Sequence, residues 1–191
     1  CEVLLLDDGF QAVALARDED IVTLDATNPF GGGPDGRVGH LVPRGILREW
    51  PAALARATHL VLTHCDHAPN LKQVVAEIRH YAPDAALRLT RHAPVRLWNV
   101  ATGEAAEPAW LQGREVDAAC GIGAPEHFRS TLSRLGAQVQ RFTAVRDHQA
   151  LPAPVFETER VVVVTEKDAV RLAPPPANAW ALSIALEDHT P

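Results

Sequence analysis

The 191-residue chain contains no methionine. A translated chain begins with Met and a chain of this size usually holds several, so we expect this sequence to be a fragment of a longer protein. It opens on an apolar run at residues 3–6, which we interpret as a buried strand that leaves no room for a leader sequence.

Cysteine is scarce and widely spaced. Cys1, Cys65 and Cys120 form no C-x-x-C pair, which argues against a disulfide framework and a thiolate zinc site and favours a reducing compartment. No apolar run approaches the roughly 18 residues that a membrane-spanning helix needs. We therefore expect any membrane contact of this chain to be peripheral.

Basic residues are fewer than acidic ones, at 18 against 24, and only Lys72 and Lys167 are lysines. The formal net charge of −6 gives no electrostatic footprint for a nucleic acid, which is excluded as the expected partner. A hydrophobic content of 47% is enough for a packed core, so a disordered or fibrous chain is also excluded.

Short apolar runs alternate with amphipathic stretches along the chain. This pattern is typical of parallel strands joined by helical crossovers, so we predict an α/β fold with a mostly parallel sheet and flanking helices. The predicted strands cover residues 3–6, 20–25, 59–63, 86–90, 115–120, 137–143, 161–165 and 180–186. The predicted helices cover residues 46–57, 70–81, 125–135 and 167–172.

Two stretches are rich in Gly and Pro and fit neither helix nor strand. Residues 29–45 contain the run GGGPDG and are predicted to be a linker or mobile loop. Residues 93–113 mix Pro, Gly and two Trp, and are predicted to form a small hairpin or an irregular insertion.

The first segment that could carry chemistry is the acidic turn after the apolar run. Asp7 and Asp8 precede Gly9, and carboxylates beyond the carboxyl end of a parallel strand point at the ligand site of an open sheet. One or two carboxylates with water suit Mg²⁺ beside a nucleotide phosphate. Asp-Asp-Gly alone is also an ordinary turn, so the pattern leaves both readings open.

Two further segments could contact an anion. Arg44 and Arg48 stand four residues apart, and on a helix both guanidinium groups would share one face, although an ordinary solvated helix start has the same pattern. The glycines at 121 and 123 precede a predicted helix, but the third glycine of a dinucleotide fingerprint is replaced by Glu126. We interpret the second segment as a tight strand-to-helix connection.

Three charged segments remain. Asp147 and His148 follow a predicted strand, and an imidazole there suits proton transfer, provided that a carboxylate from elsewhere orients it. Thr165 followed by Asp168 reads as a helix-capping arrangement, and the order Thr-Glu-Lys-Asp argues against a GTPase. Residues 64–67, with the sequence His-Cys-Asp-His, offer metal ligands, but four consecutive residues cannot converge on one ion.

Taken in order, six segments resemble the tetraacyldisaccharide 4'-kinases of lipid A biosynthesis. The matching stretches are DDGFQ at 7–11, LARDEDIVTLDATNPFG at 15–31, LVPRGILRE at 41–49, GIGAPEHF at 121–128, RDHQAL at 146–151 and TEKDAVRL at 165–172. Each stretch is modest alone, whereas the ordered set is highly specific and runs from the first residue almost to the last. We expect it to cover the C-terminal two thirds or so of a family member.

The resemblance implies a two-domain P-loop NTPase-like kinase. In that family a domain with a glycine-rich phosphate loop and its Lys precedes the region matched here, and G-x-x-x-x-G-K-[ST] does not occur in this chain. We therefore expect residues 1–28 to be the tail of the P-loop kinase domain, 29–45 a glycine-rich connector and 46–191 a C-terminal α/β domain. Acting alone, the chain is expected to lack kinase activity.

The resemblance also implies roles for particular residues. Asp7 and Asp8 would bind Mg²⁺ and, with Gln11, the ATP cofactor. Arg44, Arg48 and Glu49 would bind the sugar phosphate. The catalytic residues would be His148, Asp8 and Arg48. That list is read from the matched motifs, and His148 would partner a catalytic aspartate upstream of residue 1.

The implied reaction is ATP-dependent phosphorylation of the 4'-hydroxyl of a tetraacyl glucosamine disaccharide 1-phosphate, which gives lipid IVA. The implied partner is this acylated disaccharide lipid, with peripheral membrane contact at the cytoplasmic face of the bacterial inner membrane, mainly through the preceding region. If this reading is right, Asp7, Arg48 and His148 line one cleft between the domains.

Two other classes of function stay open from the sequence. One is a non-catalytic α/β module that binds a nucleotide or a sugar phosphate. The other is a metal-dependent hydrolase built on Asp7, Asp8 and the cluster at residues 64–67.

Overall fold

The computed structural model describes residues 2–32, 38–147 and 149–190. The chain divides into two compact units, Cys1–His92 with Leu186–Pro191 and Ala93–Ala185. The division into residues 1–28, 29–45 and 46–191 that the resemblance implies stays a prediction.

The first unit contains a parallel sheet of three strands. These are β1 (Ile21–Asp25), β2 (His59–Thr63) and the first half of β3 (Ala86–Asn99), with Ile21 opposite His59 and His59 opposite Ala86. The 3₁₀-helix Pro51–Arg56 precedes β2, and α1 (Leu71–Tyr81) is the crossover from β2 to β3. The parallel pairing brings the carboxyl ends of β1 and β2 to the same edge.

The core of the first unit lies between the sheet and α1. Leu60 and Leu62 of β2 are fully buried, as is Ile78 of α1. Asn70 caps the helix, because its side chain accepts the N–H of Gln73 at 3.2 Å. The polar face of α1 stays in solvent, as expected of an amphipathic crossover helix.

The second unit contains the remaining strands around a second core. They are the rest of β3, β4 (Ala105–Ala106), β5 (Glu115–Cys120), β6 (Gln138–Ala144), β7 (Val161–Thr165) and β8 (Ala179–Asp188). Their order is β3-β8-β7-β5-β6, with β4 antiparallel to β3 and with parallel pairing among β5, β6, β7 and β8. β3 and β8 each continue from one unit into the other.

The helices of the second unit follow the sequence signals closely. Pro125 occupies the first turn of α2 (Pro125–Arg134), where a missing N–H costs nothing, and Gly136 follows the helix with φ of 77°. Phe128 and Leu132 are the buried side chains of this helix. In the part of the chain that the structure describes, no helix is long and apolar enough to cross a bilayer.

The predicted α/β class, a mostly parallel sheet with flanking helices, is confirmed. The strands predicted at 59–63, 115–120 and 161–165 form with those limits. Of the two forms predicted for residues 93–113, the small hairpin is present, because β3 extends to Asn99 and pairs with β4. The 3₁₀-helix Pro108–Leu111 follows it.

Two predicted elements are wrong. Residues 3–6 belong to no strand of the described chain, and Leu4 and Leu5 are 78% and 87% exposed. The described residues do not cover this apolar segment, so it lacks the burial that would favour a strand. Residues 46–57 do not form an α-helix, since only the 3₁₀-helix beginning at Pro51 appears there.

A buried carboxylate lies at the carboxyl ends of β5 and β7. Asp168 of α3 (Glu166–Ala169) is 2% exposed, and its two oxygens accept the backbone N–H of Gly121 at 3.2 and 3.1 Å. Thr165 caps α3 by accepting the Asp168 N–H at 3.2 Å, and its hydroxyl donates to the Asp168 carboxylate at 2.5 Å. The predicted capping arrangement is confirmed, and it also ties the end of β5 to the end of β7.

Replacing Asp168 with Ala should destabilise the protein by about 1–3 kcal/mol, because the Gly121 N–H would be left buried without an acceptor. The matched control is Asp188→Ala, which removes an exposed ion pair with Arg88 and should cost at most about 1 kcal/mol. Equilibrium urea unfolding measures both, and equal losses in the two variants would contradict the assignment.

Candidate functional site

A cavity of about 1250 Å³ lies in the first unit, and most of the residues predicted to bind ligands line it. Its wall is formed by side chains and backbone of residues 2–11, 15–24, 29–30, 46–51 and 53–54. Asp7, Asp8, Gln11, Arg48 and Glu49 are among them. Segments far apart in the sequence therefore meet at one concave surface, which is where a small-molecule site is expected.

The acidic turn at residues 7–11 is tightly folded. Asp8 adopts a left-handed backbone with φ of 55°, and a Cβ on Gly9 would lie 2.8 Å from the Cβ of Leu6. Glycine is therefore required at position 9, because any side chain there would clash with Leu6. The side chains of Asp7 and Asp8 remain exposed on the cavity wall.

A closed loop precedes the second part of the wall. Val42 donates its N–H to Leu47 O at 2.9 Å, and Leu47 donates to His40 O at 3.2 Å. A Cβ on Gly45 would lie 2.1 Å from His40 O, so only glycine fits at this position. This loop, and not a helix, carries the chain to Arg48.

The loop changes the predicted relation between the two arginines. Arg44 and Arg48 do not share a helix face, because residues 46–50 are not helical. Arg48 lies on the cavity wall, whereas Arg44 is exposed and is not part of that wall. The proposed contact of Arg44 with a sugar phosphate stays a prediction.

One ion pair joins the acidic turn to the segment after the closed loop, and a second orients Glu49 within that segment. Arg48 donates a short hydrogen bond from Nη1 to Asp8 Oδ2. Arg56 donates to both oxygens of Glu49, at 3.0 and 2.9 Å, and Gln11 Nε2 donates to Glu49 Oε1 at 3.2 Å. Hydrogen bonding to Arg56 lowers the pKa of Glu49, against the smaller opposing effect of burial and with a further contribution from Gln11.

Arg56 was not singled out from the sequence. It ends a short alanine-rich 3₁₀-helix that carries no motif, and its partner Glu49 stands seven residues earlier, before the start of that helix. The apolar part of the wall includes Trp50, which is 53% exposed. No sequence signal marked this tryptophan as part of the site either.

The RDHQAL segment belongs to the second unit. His148 lies outside the residues that the structure describes, so its predicted catalytic role and its place in a common cleft with Asp7 and Arg48 stay predictions. Its neighbour Asp147 accepts a hydrogen bond from Lys167 Nζ at 2.7 Å. This pair links the segment to the TEKDAVRL motif.

The cluster at residues 64–67 is separate from the cavity wall. His64 Nδ1 lies 3.1 Å from Asp25 Oδ2, and its ring meets the His92 ring edge-on with centroids 4.3 Å apart. None of residues 64–67 is among the described residues that line the cavity containing Asp7 and Asp8. The structure thus does not bring together the groups that a metal-dependent hydrolase of the kind considered above would combine.

Asp25 is strongly stabilised in its ionised form. Burial opposes ionisation, but hydrogen bonds from the His64 ring and from the hydroxyl and N–H of Thr27 outweigh it and lower the pKa of Asp25 well below its usual range. A lowered pKa stabilises the fold above the unfolded-state value of about 4, and this stabilisation is lost as pH falls towards the folded-state value.

The variant Asp25→Asn should therefore be less stable than the parent protein at neutral pH. Its free energy of unfolding should also fall less steeply between about pH 4 and pH 2, because the Asn side chain does not titrate. Urea unfolding across this pH range measures the slope, with Asp188→Asn as the control for loss of one negative charge. An unchanged slope in Asp25→Asn would contradict the assignment.

Comparison with known proteins identifies the family of the chain. A family model described as tetraacyldisaccharide-1-P 4'-kinase matches residues 1–190. The tetraacyldisaccharide 4'-kinase of Anaeromyxobacter dehalogenans (strain 2CP-C) is 43% identical over 188 residues, which cover 93% of this chain and 48% of that protein. The enzyme of the same name from Syntrophus aciditrophicus (strain SB) is 35% identical over 190 residues, with 91% and 49% covered.

A solved structure supports the same assignment at the level of the fold. The crystal structure of LpxK from Aquifex aeolicus in complex with ATP superposes with a TM-score of 0.63 at 26% identity. The match covers 95% of this chain and 51% of that one. The chain thus spans about half the length of the relatives it matches, and not the two thirds expected from the motifs.

The mostly parallel sheet with flanking helices, and its likeness to LpxK over 95% of the chain, define an α/β protein. Within that class, the chain belongs to the tetraacyldisaccharide-1-P 4'-kinase family, whose model it matches over nearly its whole length. The resemblance carried by the six sequence motifs is confirmed.

Proposed function

We propose that the chain is part of a kinase that transfers phosphate from ATP to the 4'-hydroxyl of a tetraacyl glucosamine disaccharide 1-phosphate, which gives lipid IVA. The family match supports the reaction class. The observation that carries the proposal is the cavity wall, where the DDGFQ and LRE motifs provide paired carboxylates and a guanidinium side by side. Phosphate transfer needs this combination to position and neutralise charge.

The carboxylates fit a magnesium ion. Asp7 and Asp8 are both exposed on the cavity wall, and one or two carboxylates completed by water and phosphate oxygens are the usual Mg²⁺ ligands. Mg²⁺ bound there would neutralise charge on the ATP phosphates. Asp8 also accepts from Arg48, so a guanidinium lies beside the proposed metal ligands.

The other residues of the wall bind and orient the two substrates. Gln11 is the last residue of the acidic turn and contributes to the nucleotide side. Arg48 and Glu49 contribute to the sugar-phosphate side, and a guanidinium there is suited to a phosphate because its N–H groups match the phosphate oxygens. Arg44 is the third proposed contact to the sugar phosphate.

His148 is proposed to take the proton from the attacking 4'-hydroxyl, with a carboxylate of the complete protein as its partner. The substrate is a lipid, so we propose that the complete protein works peripherally at the cytoplasmic face of the bacterial inner membrane. Since the chain has no G-x-x-x-x-G-K-[ST] motif, we propose that catalysis needs the full-length gene product.

In the full-length protein, Asp8→Asn should lower kcat by about 100-fold or more, because a metal-binding carboxylate is lost while the side-chain size is kept. The assay follows phosphate transfer from Mg-ATP to the tetraacyldisaccharide 1-phosphate. The control is Asp84→Asn, an exposed carboxylate outside the cavity wall. Equal activity of the two variants would count against the metal role of Asp8.

His148→Ala should lower kcat by about 10²–10⁴-fold in the same assay, because general base catalysis is lost. The matched control is His80→Ala, which changes an exposed histidine of α1. If the folded, lipid-supplied parent protein itself transfers no phosphate, the non-catalytic nucleotide- or sugar-phosphate-binding module becomes the preferred function.

A further inference from the structure

We propose that Arg56 is a positioning residue that holds Glu49 and the Phe10–Gln11 segment together at the wall of the cavity. The guanidinium group would thereby set the geometry in which Gln11 and Glu49 meet their ligands. This inference rests on the proposed function, because the binding roles of Gln11 and Glu49 are themselves proposed.

The contact between Arg56 and Glu49 is a two-pronged ion pair. Nη1 donates to Oε2 at 3.0 Å and Nη2 donates to Oε1 at 2.9 Å. Two parallel hydrogen bonds fix the plane of the carboxylate as well as its distance, which a single contact cannot do. The orientation of Glu49 is thus determined by Arg56.

The same guanidinium reaches the acidic-turn segment. Nη2 donates to the carbonyl oxygen of Phe10 at 3.4 Å, and the guanidinium carbon lies 4.5 Å from the centroid of the Phe10 ring. A cation over an aromatic face is attractive, and this contact fixes the ring as well as the backbone. Gln11 completes the connection by donating to Glu49 Oε1 at 3.2 Å.

Arg56 also keeps the Glu49 carboxylate from pairing with the neighbouring Arg48 guanidinium. Arg48 pairs with Asp8, whereas Glu49 pairs with Arg56 and Gln11. Without Arg56, the Glu49 carboxylate would lose its main cationic partner and become available to the adjacent Arg48 guanidinium. The Asp8–Arg48 pair would then be weakened, and with it the arrangement of the proposed metal ligands.

An ordinary exposed Arg–Glu pair contributes little, and the chain contains one for comparison. Arg91 Nη2 lies 3.0 Å from Glu187 Oε2, with both side chains about half exposed and neither on the cavity wall. Arg56 adds to its ion pair a carbonyl and an aromatic ring. We therefore expect the two arginines to differ in their effect on activity much more than in their effect on stability.

The test is a kinetic double-mutant cycle in the full-length protein with Mg-ATP and the tetraacyldisaccharide 1-phosphate. Arg56→Gln should lower kcat about tenfold or more with a smaller change in either KM, whereas Arg91→Gln should stay within about twofold of the parent. Arg56→Lys should recover only part of the loss, because an ammonium cannot make the two-pronged contact. The double variant Arg56→Gln/Glu49→Gln should be no less active than Glu49→Gln alone.

Two kinetic outcomes would overturn the proposal. One is an Arg56→Gln protein that behaves like Arg91→Gln. The other is a double variant whose loss equals the product of the two single losses, because Arg56 would then act independently of Glu49. Thermal unfolding of all variants checks the fold, and if Arg56→Gln does not fold, Arg56→Lys replaces it in the cycle.

A second measurement is independent of activity. The side-chain amide resonances of Gln11 in an NMR spectrum should move in Arg56→Gln and in Glu49→Gln but not in Arg91→Gln. An inactive parent protein would refute the proposed function, and the Gln11 signal would still decide whether Arg56 holds the two segments together. Unmoved Gln11 resonances in Arg56→Gln would overturn the inference.

Discussion

Opposite charges hold the walls of the cavity together. The acidic turn and the segment after the closed loop stand about 40 residues apart, and the Asp8–Arg48 ion pair and the Gln11–Glu49 hydrogen bond join them, while Arg56 pairs with Glu49 beside this contact. Such pairs between partly exposed groups weaken as salt rises, because the screening length shortens from about 10 Å at 0.1 M to about 3 Å at 1 M. The shape of the site is therefore more sensitive to salt concentration than the structure of the buried sheet is.

The buried parts of the fold were predictable because they follow local patterns. The four-valine run became β7, and the Pro and Gly signals correctly bounded the helix α2. The apolar side chains of these elements are buried against adjacent strands and helices, which any parallel sheet with flanking helices provides. Residues 3–6 and 46–57 have equally clear patterns, but their structure is decided by what covers them and by the closed loop that Gly45 permits, neither of which is visible locally.

The site was predictable in its residue types and only partly in its geometry. Motif resemblance selected seven residues, of which Asp7, Asp8, Gln11, Arg48 and Glu49 lie on one cavity wall. Arg44 lies off that wall, and His148 lies outside the described residues. The pairing of Asp8 with Arg48 could not be anticipated, because charge pairs across 40 residues have no periodic signal. Arg56 was not identified from the sequence for the same reason, since its contacts depend on how the chain folds and not on a helix spacing.

The tryptophans are distributed unevenly between the two units. Of the four in the chain, Trp98, Trp110 and Trp180 belong to the second unit, where Trp110 and Trp180 stack with centroids 4.6 Å apart. Trp50 is the one tryptophan of the first unit, and it stands half exposed on the cavity wall. Intrinsic fluorescence from a protein that retains Trp50 alone would thus report directly on occupancy of the cavity, without a dye or a label.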